Sequence, residues 1–226
     1  MSKQLTFDLP ARAALGRGDF FVSEANALAL ARLDDWPNWP YSKLLLIGPT
    51  GAGKSHLAQV WAHETGALIL PASNLSGIRE NLTDSGLVVE GADEIGGDSD
   101  SEEALFHLFN LTRDRRIPVL FTASNPVRDW GLLLPDLQSR MQGIDQATLS
   151  PPDDALLIAV LVKLFSDRQL AVKPEVIGYI AKRMERSFAA LQVLVGELDQ
   201  RALSENRAVT RALAAEVLDK LSQTKA

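Results

Sequence analysis

The sequence contains no cysteine. This absence excludes a disulfide-stabilised scaffold, a thiolate metal site and a cysteine nucleophile. The sequence also has no apolar run near the roughly 20 residues that a membrane-spanning helix needs. Its N-terminal sequence, MSKQLTFDLP, has no long apolar stretch of the kind found in a secretory signal. We therefore expect a cytoplasmic protein with no membrane partner.

Basic residues are scarce relative to acidic ones, with 23 Lys and Arg against 29 Asp and Glu and a formal net charge of −6. Residues 1–150 carry 12 basic and 19 acidic side chains, whereas residues 151–226 carry 11 and 10. Binding to nucleic-acid phosphates depends on clustered Lys and Arg. We therefore expect no direct specific binding to DNA.

The 226 residues do contain enough apolar sequence for a sizeable core, since 46% are hydrophobic and 23% are charged. Nearly continuous apolar runs are typical of strands that are buried on both faces of a parallel sheet. Four such runs lie at 43–48, 67–72, 86–91 and 117–124. Because helix-length segments separate several of them, the sequence predicts an α/β fold with right-handed crossovers.

The character of the sequence changes at the Pro151–Pro152 pair, after which apolar residues recur at helical spacing without a convincing long strand. We predict an extended tail at 1–18, an α/β domain at 19–150 and a small helical domain at 151–226.

Three local predictions concern the α/β domain. The sequence of residues 19–33 predicts a short apolar stretch followed by a helix. The proline-rich WPNWPYS segment from Trp36 is predicted to be a loop, because proline disfavours a helix. The acidic cluster from Asp93 to Glu103 predicts a solvated loop before a helix at 103–114.

The most specific motif is Gly48-Pro-Thr-Gly-Ala-Gly-Lys-Ser55, which matches the phosphate-binding pattern G-x-x-x-x-G-K-[ST] in full. A predicted strand precedes it and a helical pattern follows it. The glycines allow backbone N–H groups to face a phosphate at a helix N-terminus, where negative charge is favoured. Lys54 would reach the β- and γ-phosphates, and the Ser55 hydroxyl would bind Mg²⁺. A glycine-rich turn with a merely exposed lysine is the alternative, and the strand–helix context favours nucleotide binding.

The expected nucleotide-binding residues of this segment are Gly48, Pro49, Thr50, Gly51, Ala52, Gly53, Lys54, Ser55 and His56.

Glu90 ends the apolar run GLVVEG, where a P-loop protein usually places the acid that positions Mg²⁺. Glutamate is one methylene longer than the usual aspartate. The next position, which often carries the acid that orients the attacking water, is Gly91, while Asp93 and Glu94 lie nearby but out of register. If no acid replaces it, we expect nucleotide binding with slow hydrolysis, because phosphoryl transfer depends on positioning.

Beyond the P-loop, the sequence resembles the AAA+ ATPases in the branch of the bacterial replication initiator DnaA. DFFVSEANALAL resembles the segment that opens the initiator's nucleotide-binding domain, and GPTGAGKSHL resembles its P-loop. FTASNP resembles the sensor-1 strand end, and LPDLQSRM resembles the arginine-finger segment. The resemblance implies an AAA+ P-loop NTPase core with a parallel sheet, followed by an all-helical lid.

This resemblance also implies roles for individual residues. Ser124 or Asn125 would face the γ-phosphate as sensor 1, and Phe21 and Val22 would join an adenine-nucleotide site. Arg140 would be an arginine finger that is presented to a neighbour's nucleotide, where its planar, permanent charge suits the γ-phosphate. The alternative for Arg140 is a surface residue in an ion pair.

The sensor-2 position departs from the family pattern. Ala189 stands where the resemblance implies an arginine, and the nearest arginine is Arg186, about one turn earlier. We expect Arg186 to be an exposed cation at a helix end. Loss of the sensor-2 arginine would weaken discrimination of ATP from ADP.

The sequence ends at Ala226, where an initiator would continue into a DNA-binding domain, and an N-terminal helicase-interaction domain is absent. What remains resembles the Hda family, DnaA-related proteins of regulatory inactivation of the initiator. That family carries an N-terminal sliding-clamp motif of the form Gln-Leu-x-apolar-x-Leu, which Gln4, Leu5, Phe7 and Leu9 fit. The alternative is that these apolar side chains form an edge strand or pack on the core.

The resemblance implies a negative regulator of replication initiation that binds ADP or ATP with Mg²⁺. Its partners would be DnaA and the β sliding clamp of DNA polymerase III, and Arg140 would stimulate hydrolysis of DnaA-bound ATP. Self-association is also expected of AAA+ domains. The alternatives are a self-sufficient ATPase, such as a helicase loader or remodelling motor, and a clamp-bound adaptor whose nucleotide is purely structural.

Overall fold

The structure, a computed structural model, describes residues 21–75, 82–205 and 207–223. The predicted tail at 1–18 and its clamp motif, with Gln4, Leu5, Phe7 and Leu9, lie outside the described residues. Within the described part of the chain, no helix is both long and apolar enough to cross a membrane.

A parallel sheet of five strands forms the centre of the first domain, with the spatial order β2-β3-β4-β1-β5. The strands are β1 (Lys43–Ile47), β2 (Leu68–Pro71), β3 (Leu87–Glu90), β4 (Val119–Ala123) and β5 (Asp145–Thr148). The sheet confirms the predicted α/β fold and the four predicted apolar strands. The sequence did not indicate β5, because this edge strand reads DQAT and buries only Ala147.

Helices cover both faces of the sheet. They are α1 (Ala27–Asp34), α2 (Lys54–Thr65), α3 (Ser99–Asp114) and α4 (Pro135–Gln142). Leu44 and Leu46 of β1 pack with α1 and α2, whereas Leu45 packs with α3 and α4 on the opposite face. This alternation follows from the two-residue period of a strand, and it explains why β1 is apolar from Leu44 to Ile47.

Two local predictions need correction. The acidic segment from Asp93 to Glu103 is not a solvated loop throughout, because α3 begins at Ser99 and Glu102 is fully buried. Acidic side chains favour the first turn of a helix, where they interact with the helix dipole. The proline-rich segment from Trp36 contains two short 3₁₀ turns, Trp36–Asn38 and Pro40–Ser42.

The second domain consists of four helices, α5 (Asp154–Asp167), α6 (Pro174–Ala181), α7 (Phe188–Ser204) and α8 (Arg211–Gln223). Their apolar faces share a separate core that includes Leu161, Leu191 and Leu213. Asp153 caps α5 by accepting a hydrogen bond from the Leu156 N–H at 2.8 Å, which lowers the pKa of the Asp153 carboxyl. The α/β core and the helical domain that the sequence predicts are therefore both present.

The lid contacts the P-loop at the start of α7. The Phe188 N–H donates to the Gly51 carbonyl at 2.9 Å. Gly51 has a φ of +80°, and a Cβ at this position would lie only 2.3 Å from the Ser187 Cβ. Only glycine therefore allows the P-loop to turn this closely beneath the lid.

Candidate nucleotide site and arginine finger

The P-loop connects the carboxyl end of β1 to the first residue of α2, Lys54. Gly53, just before the helix, has a φ of +99°, and a Cβ there would lie 2.9 Å from the Phe188 ring. These left-handed glycines aim backbone N–H groups and the N-terminus of α2 toward one point, the arrangement that binds phosphate in P-loop proteins.

A cavity of about 490 Å³ opens between the P-loop, the carboxyl edge of the sheet and the start of α7. Its lining is Thr50, Gly51, Gly53, Lys54, Ser55, His56, Pro71, Glu90, Gly91, Asp93, Glu94, Thr122, Ala123, Ser124, Phe188, Ala189 and Gln192. The structure thus brings most of the predicted P-loop residues to one cavity. Gly48, Pro49 and Ala52 belong to the loop without lining the cavity, and Ala52 packs in the core beneath it.

The Lys54 ammonium group lies at the centre of the loop. Its Nζ donates to the carbonyl oxygens of Gly48 at 2.6 Å and Pro49 at 3.2 Å, and to the Ser124 Oγ at 3.4 Å. Burial lowers the pKa of Lys54, while the nearby carboxylates of Asp93 and Glu94 act in the opposite direction. Burial also lowers the pKa of His56.

Glu90 and Ser55 place two oxygen donors at the same cavity. Glu90 is the last residue of β3, and its Oε1 is buried with no hydrogen-bond partner among the described residues. Ser55 is exposed in the first turn of α2. A hydroxyl and an unsatisfied carboxylate oxygen are the hard ligands that Mg²⁺ prefers, and one or two protein ligands suffice when phosphates supply the rest. These residues therefore fit the metal that the sequence implied.

Asp93 organises the sensor-1 loop. Its Oδ2 accepts hydrogen bonds from the backbone N–H groups of Ser124 at 2.9 Å and Asn125 at 3.1 Å, and from the Asn125 side-chain amide at 3.2 Å. The Trp130 indole donates to the Asn125 carbonyl at 2.7 Å. Of the two sensor-1 candidates, Ser124 therefore lines the cavity beside Lys54, whereas the Asn125 amide is turned to Asp93.

The Glu94 carboxylate lies next to Gly91, the position at which a P-loop protein often carries the acid that orients the attacking water. A Cβ on Gly91 would lie 2.9 Å from the Glu94 carboxyl carbon. Gly91 has a φ of +67°, and its carbonyl accepts from the Glu94 N–H at 2.9 Å. This tight turn brings the Glu94 carboxylate back over the end of β3. Linear spacing could not indicate that placement, although the glycine after the strand was a signal for the turn.

Arg140 lies on α4, outside the lining of the cavity. Its guanidinium is 4.9 Å from the ring centroid of Phe106 and 5.8 Å from that of Phe109, both on α3. The side chain is half-buried by these cation–π contacts. The structure therefore separates Arg140 from the P-loop of its own chain.

Comparisons with known proteins agree with this geometry. Residues 154–218 match the family model described as "Hda, lid domain". The chromosomal replication initiator protein DnaA of Thermomicrobium roseum is 24% identical over 222 residues, a match that covers 87% of this chain and 46% of that protein. This chain therefore spans about half the length of that relative.

Two solved structures share the fold. Domain III of the Thermotoga maritima replication initiation protein DnaA superposes with a TM-score of 0.79 at 18% identity, covering 94% of this chain and 98% of that one. AMPPCP-bound DnaA from Aquifex aeolicus superposes with a TM-score of 0.69 at 16% identity, covering 82% and 65%. This chain therefore has the fold of DnaA domain III, and its helical domain matches the Hda lid model.

Ala189 occupies the predicted sensor-2 position. Its side chain lines the cavity at the start of α7. The Arg186 guanidinium lies elsewhere, 2.6 Å from the Asp154 carboxylate and 3.4 Å from the Pro152 carbonyl. Arg186 thus ties the lid to the segment that enters it.

Two further predicted residues, Phe21 and Val22, lie away from the cavity. Val22 lines a separate apolar cavity between α1 and α2, and the Phe21 carbonyl accepts from the Asn26 amide at 2.9 Å. Their role in adenine binding stays a prediction. Sequence reasoning missed two lid residues of the cavity, Phe188 and Gln192, which share one face of α7 at four-residue spacing with each other.

Proposed function

We propose that this protein binds an adenine nucleotide with Mg²⁺ and acts as a negative regulator of replication initiation. In this proposal it supplies Arg140 to the ATP that is bound by DnaA and so stimulates that hydrolysis. The observation that carries the proposal is the position of Arg140, outside the nucleotide cavity of its own chain and held on the surface of α4. An arginine finger in this position would act on the nucleotide of a second protein rather than on that of its own chain.

Adenine-nucleotide binding is supported by the complete P-loop, its left-handed glycines and the position of the Lys54 ammonium group within the loop. It is also supported by the likeness to a DnaA structure that holds AMPPCP. Ser55 and Glu90 would hold Mg²⁺, which neutralises charge on the phosphates when bound. Lys54 would pair with the β- and γ-phosphates, and Ser124 would hydrogen-bond to the γ-phosphate.

The arginine contributes electrostatic stabilisation in the proposed reaction. As the bond to the γ-phosphoryl group lengthens, negative charge develops on its oxygens and on the leaving group. The planar guanidinium of Arg140 would donate to these oxygens from the side that the DnaA site leaves open. An arginine finger supplied in trans is worth about 10³–10⁵ in rate in GTPases.

The clamp motif at Gln4, Leu5, Phe7 and Leu9 would bring this protein to the sliding clamp on DNA. Such a peptide buries its apolar side chains in a pocket while the glutamine hydrogen-bonds to the rim. Binding to a clamp on DNA would raise the effective concentration of this protein near DnaA without a new contact between the two. Self-association would use the AAA+ surfaces that the DnaA contact also uses.

The test is a reconstitution with ATP-bound DnaA and clamp-loaded DNA, in which the rate of phosphate release is measured. Arg140→Ala should lower the stimulated rate by a factor on the order of 10³, to near the rate of DnaA alone. Arg128→Ala is the matched control, because Arg128 is an exposed arginine on a neighbouring turn and should retain full stimulation. Deletion of residues 1–9 should abolish the part of the stimulated phosphate release that depends on the clamp. Full stimulation by Arg140→Ala would refute the proposal.

A second candidate function, a self-sufficient ATPase, is favoured by the carboxylate of Glu94 above Gly91. This carboxylate could orient the attacking water that Gly91 cannot. Steady-state ATPase of the isolated protein discriminates between the two. The second candidate requires vigorous turnover that Glu94→Gln abolishes and the exposed control Glu103→Gln preserves. Slow turnover that is insensitive to Glu94→Gln supports the first.

A further inference from the structure

One face of α3 contacts both the side chain of Arg140 and the backbone that leads into α4. Glu102, Phe106 and Phe109 are spaced four and three residues apart, so their side chains project from the same side of the helix. Phe106 and Phe109 contact the Arg140 guanidinium. Glu102, one turn before Phe106, contacts the chain just before α4.

Both oxygens of the Glu102 carboxylate accept hydrogen bonds from backbone N–H groups. Oε1 accepts from Gly97 at 2.9 Å and from Leu133 at 3.0 Å. Oε2 accepts from Leu133 at 2.9 Å and from Leu134 at 2.8 Å. Leu134 is the residue that immediately precedes the first turn of α4. One carboxylate therefore joins the loop before α3 to the loop before α4.

This carboxylate is wholly buried, and in the described part of the chain no Lys or Arg forms an ion pair with it. Burying a carboxylate is costly unless hydrogen bonds replace its hydration, and these backbone donors together with the N-terminus of α3 provide that replacement. A buried charge of this kind fixes the position of its donors, because any shift of the loop would leave it unsatisfied. The donors here are the residues that set where α4 begins.

Because the start of α4 is fixed, the location of Arg140 on this helix is fixed as well. The helix is only eight residues long, and Leu137 and Met141 anchor it in the core. Arg140 lies in its last turn, with the guanidinium against the Phe106 ring. The beginning of the helix and the end of the arginine side chain are thus both held by α3.

We propose that Glu102 and Phe106 are positioning residues for the arginine finger. Glu102 sets the start of α4 through the Leu133 and Leu134 N–H groups, and Phe106 holds the guanidinium in an extended, half-buried arrangement. The expected effect on DnaA ATPase stimulation rests on the proposed function, whereas the placement of the Arg140 side chain by Glu102 and Phe106 does not. A misplacement of a catalytic group by about 1 Å can cost about 10²-fold in rate. A displaced Arg140 guanidinium would therefore stimulate hydrolysis much less.

The first readout needs no DnaA. In the full-length protein, the Arg140 Nε–Hε resonance, assigned by its loss in Arg140→Ala, should be shifted by the ring current of Phe106. Glu102→Gln retains the shape of the side chain but replaces one carboxylate oxygen with an NH₂ group, which cannot accept from a backbone N–H. We expect this variant to move the Arg140 resonance toward the position of a solvated arginine. Glu103→Gln, the exposed neighbour with the same chemical change, should leave it unmoved.

The second readout is the maximal DnaA ATPase stimulation at saturating concentrations of the variant. Glu102→Gln should lower it by at least about 10-fold, consistent with a displaced group, while its affinity for fluorescent ADP stays within twofold. A purely structural role would lower ADP binding and stimulation together.

Phe106→Leu keeps apolar bulk and removes the ring, so it tests the same inference if Glu102→Gln does not fold. It should shift the Arg140 resonance and lower maximal stimulation without changing ADP affinity. An unmoved Arg140 resonance in both folded variants would overturn the inference. If Arg140→Ala itself retains full stimulation, the proposed function fails, and the resonance alone decides the positioning role.

Discussion

At the scale of single residues, Lys43 is the most unusual charged group away from the nucleotide cavity. It begins β1 and is fully buried. Its Nζ lies 3.3 Å from the Tyr41 carbonyl and 4.9 Å from the Phe109 ring centroid. Burial and, to a smaller extent, the charge of Arg113 lower the pKa of Lys43 to about 8, while Asp114 opposes the shift. The site therefore favours the neutral amine more than water does.

Replacement of this lysine should stabilise the protein at neutral pH. Between pH 8 and 10.5 the unfolded state binds more protons at Lys43 than the folded state, so the stability of the natural protein rises through this range relative to a variant without the amine. Lys43→Met should be more stable by up to about 3 kcal/mol at and below pH 8, with the difference declining toward pH 10.5.

Urea unfolding of both proteins at pH 7, 8, 9 and 10 measures this difference. Lys182→Met is the control, because Lys182 is exposed and its removal should give a small difference that does not change over this range. A pH-independent difference for Lys43→Met would show that Lys43 titrates normally.

Residues of the site differ in how far the sequence could specify them. The P-loop residues were predictable because one short segment carries both the turn and its chemistry. Glu102 was not, because a glutamate in an acidic segment gives no sign that two loops will surround it. Glu94 was not, because its placement depends on the backbone turn at Gly91. Contacts between distant segments are the part that spacing alone does not encode.

At the scale of elements, the same distinction separates the strands. β1, β3 and β4 were predictable because a strand covered on both faces has an unbroken apolar sequence. β5 at the edge needs only one inward side chain, and its polar sequence carries almost no signal. α4 is short and mostly polar, so its Arg140 was found by resemblance rather than by periodicity.

The segment before α7 provides a test at this scale. The Arg186 guanidinium pairs with Asp154 of α5, and both side chains are half exposed. An ion pair in this setting is worth about 0–1 kcal/mol. We expect Arg186→Ala to lower the free energy of unfolding by less than about 1 kcal/mol and to leave the ratio of ATP to ADP affinity unchanged.

Isothermal titration with both nucleotides measures that ratio, and Asp154→Ala is the matched variant that breaks the same ion pair from the other side. The two variants should behave alike. A selective loss of ATP affinity in Arg186→Ala alone would mean that Arg186 reaches the γ-phosphate and serves as sensor 2.

At the scale of the whole molecule, the sheet domain and the lid have separate cores that meet at the P-loop. The Phe188 N–H to Gly51 bond and the side chains of Phe188 and Gln192 connect the lid to the cavity. A nucleotide in that cavity would contact both domains at once. Its binding free energy would therefore stabilise their association as well as each fold.

We expect ADP with Mg²⁺ to couple the unfolding of the two domains. A ligand at 100 times its Kd stabilises the folded state by about 2.7 kcal/mol, so the melting temperature should rise, and the lid and core should unfold in a single transition. Lys54→Ala removes the central phosphate contact and should abolish most of this shift. Glu90→Gln should lower the part of the shift that depends on Mg²⁺, because it removes the unsatisfied carboxylate oxygen.

Differential scanning calorimetry with and without ADP, Mg²⁺ and EDTA measures these effects, with Lys182→Ala as the exposed-lysine control. If Lys54→Ala showed the full shift, the P-loop would not be the nucleotide site. If it lost the shift but still stimulated DnaA fully, the nucleotide would be dispensable for the contact with DnaA, and stimulation would depend on the surface of α4 alone.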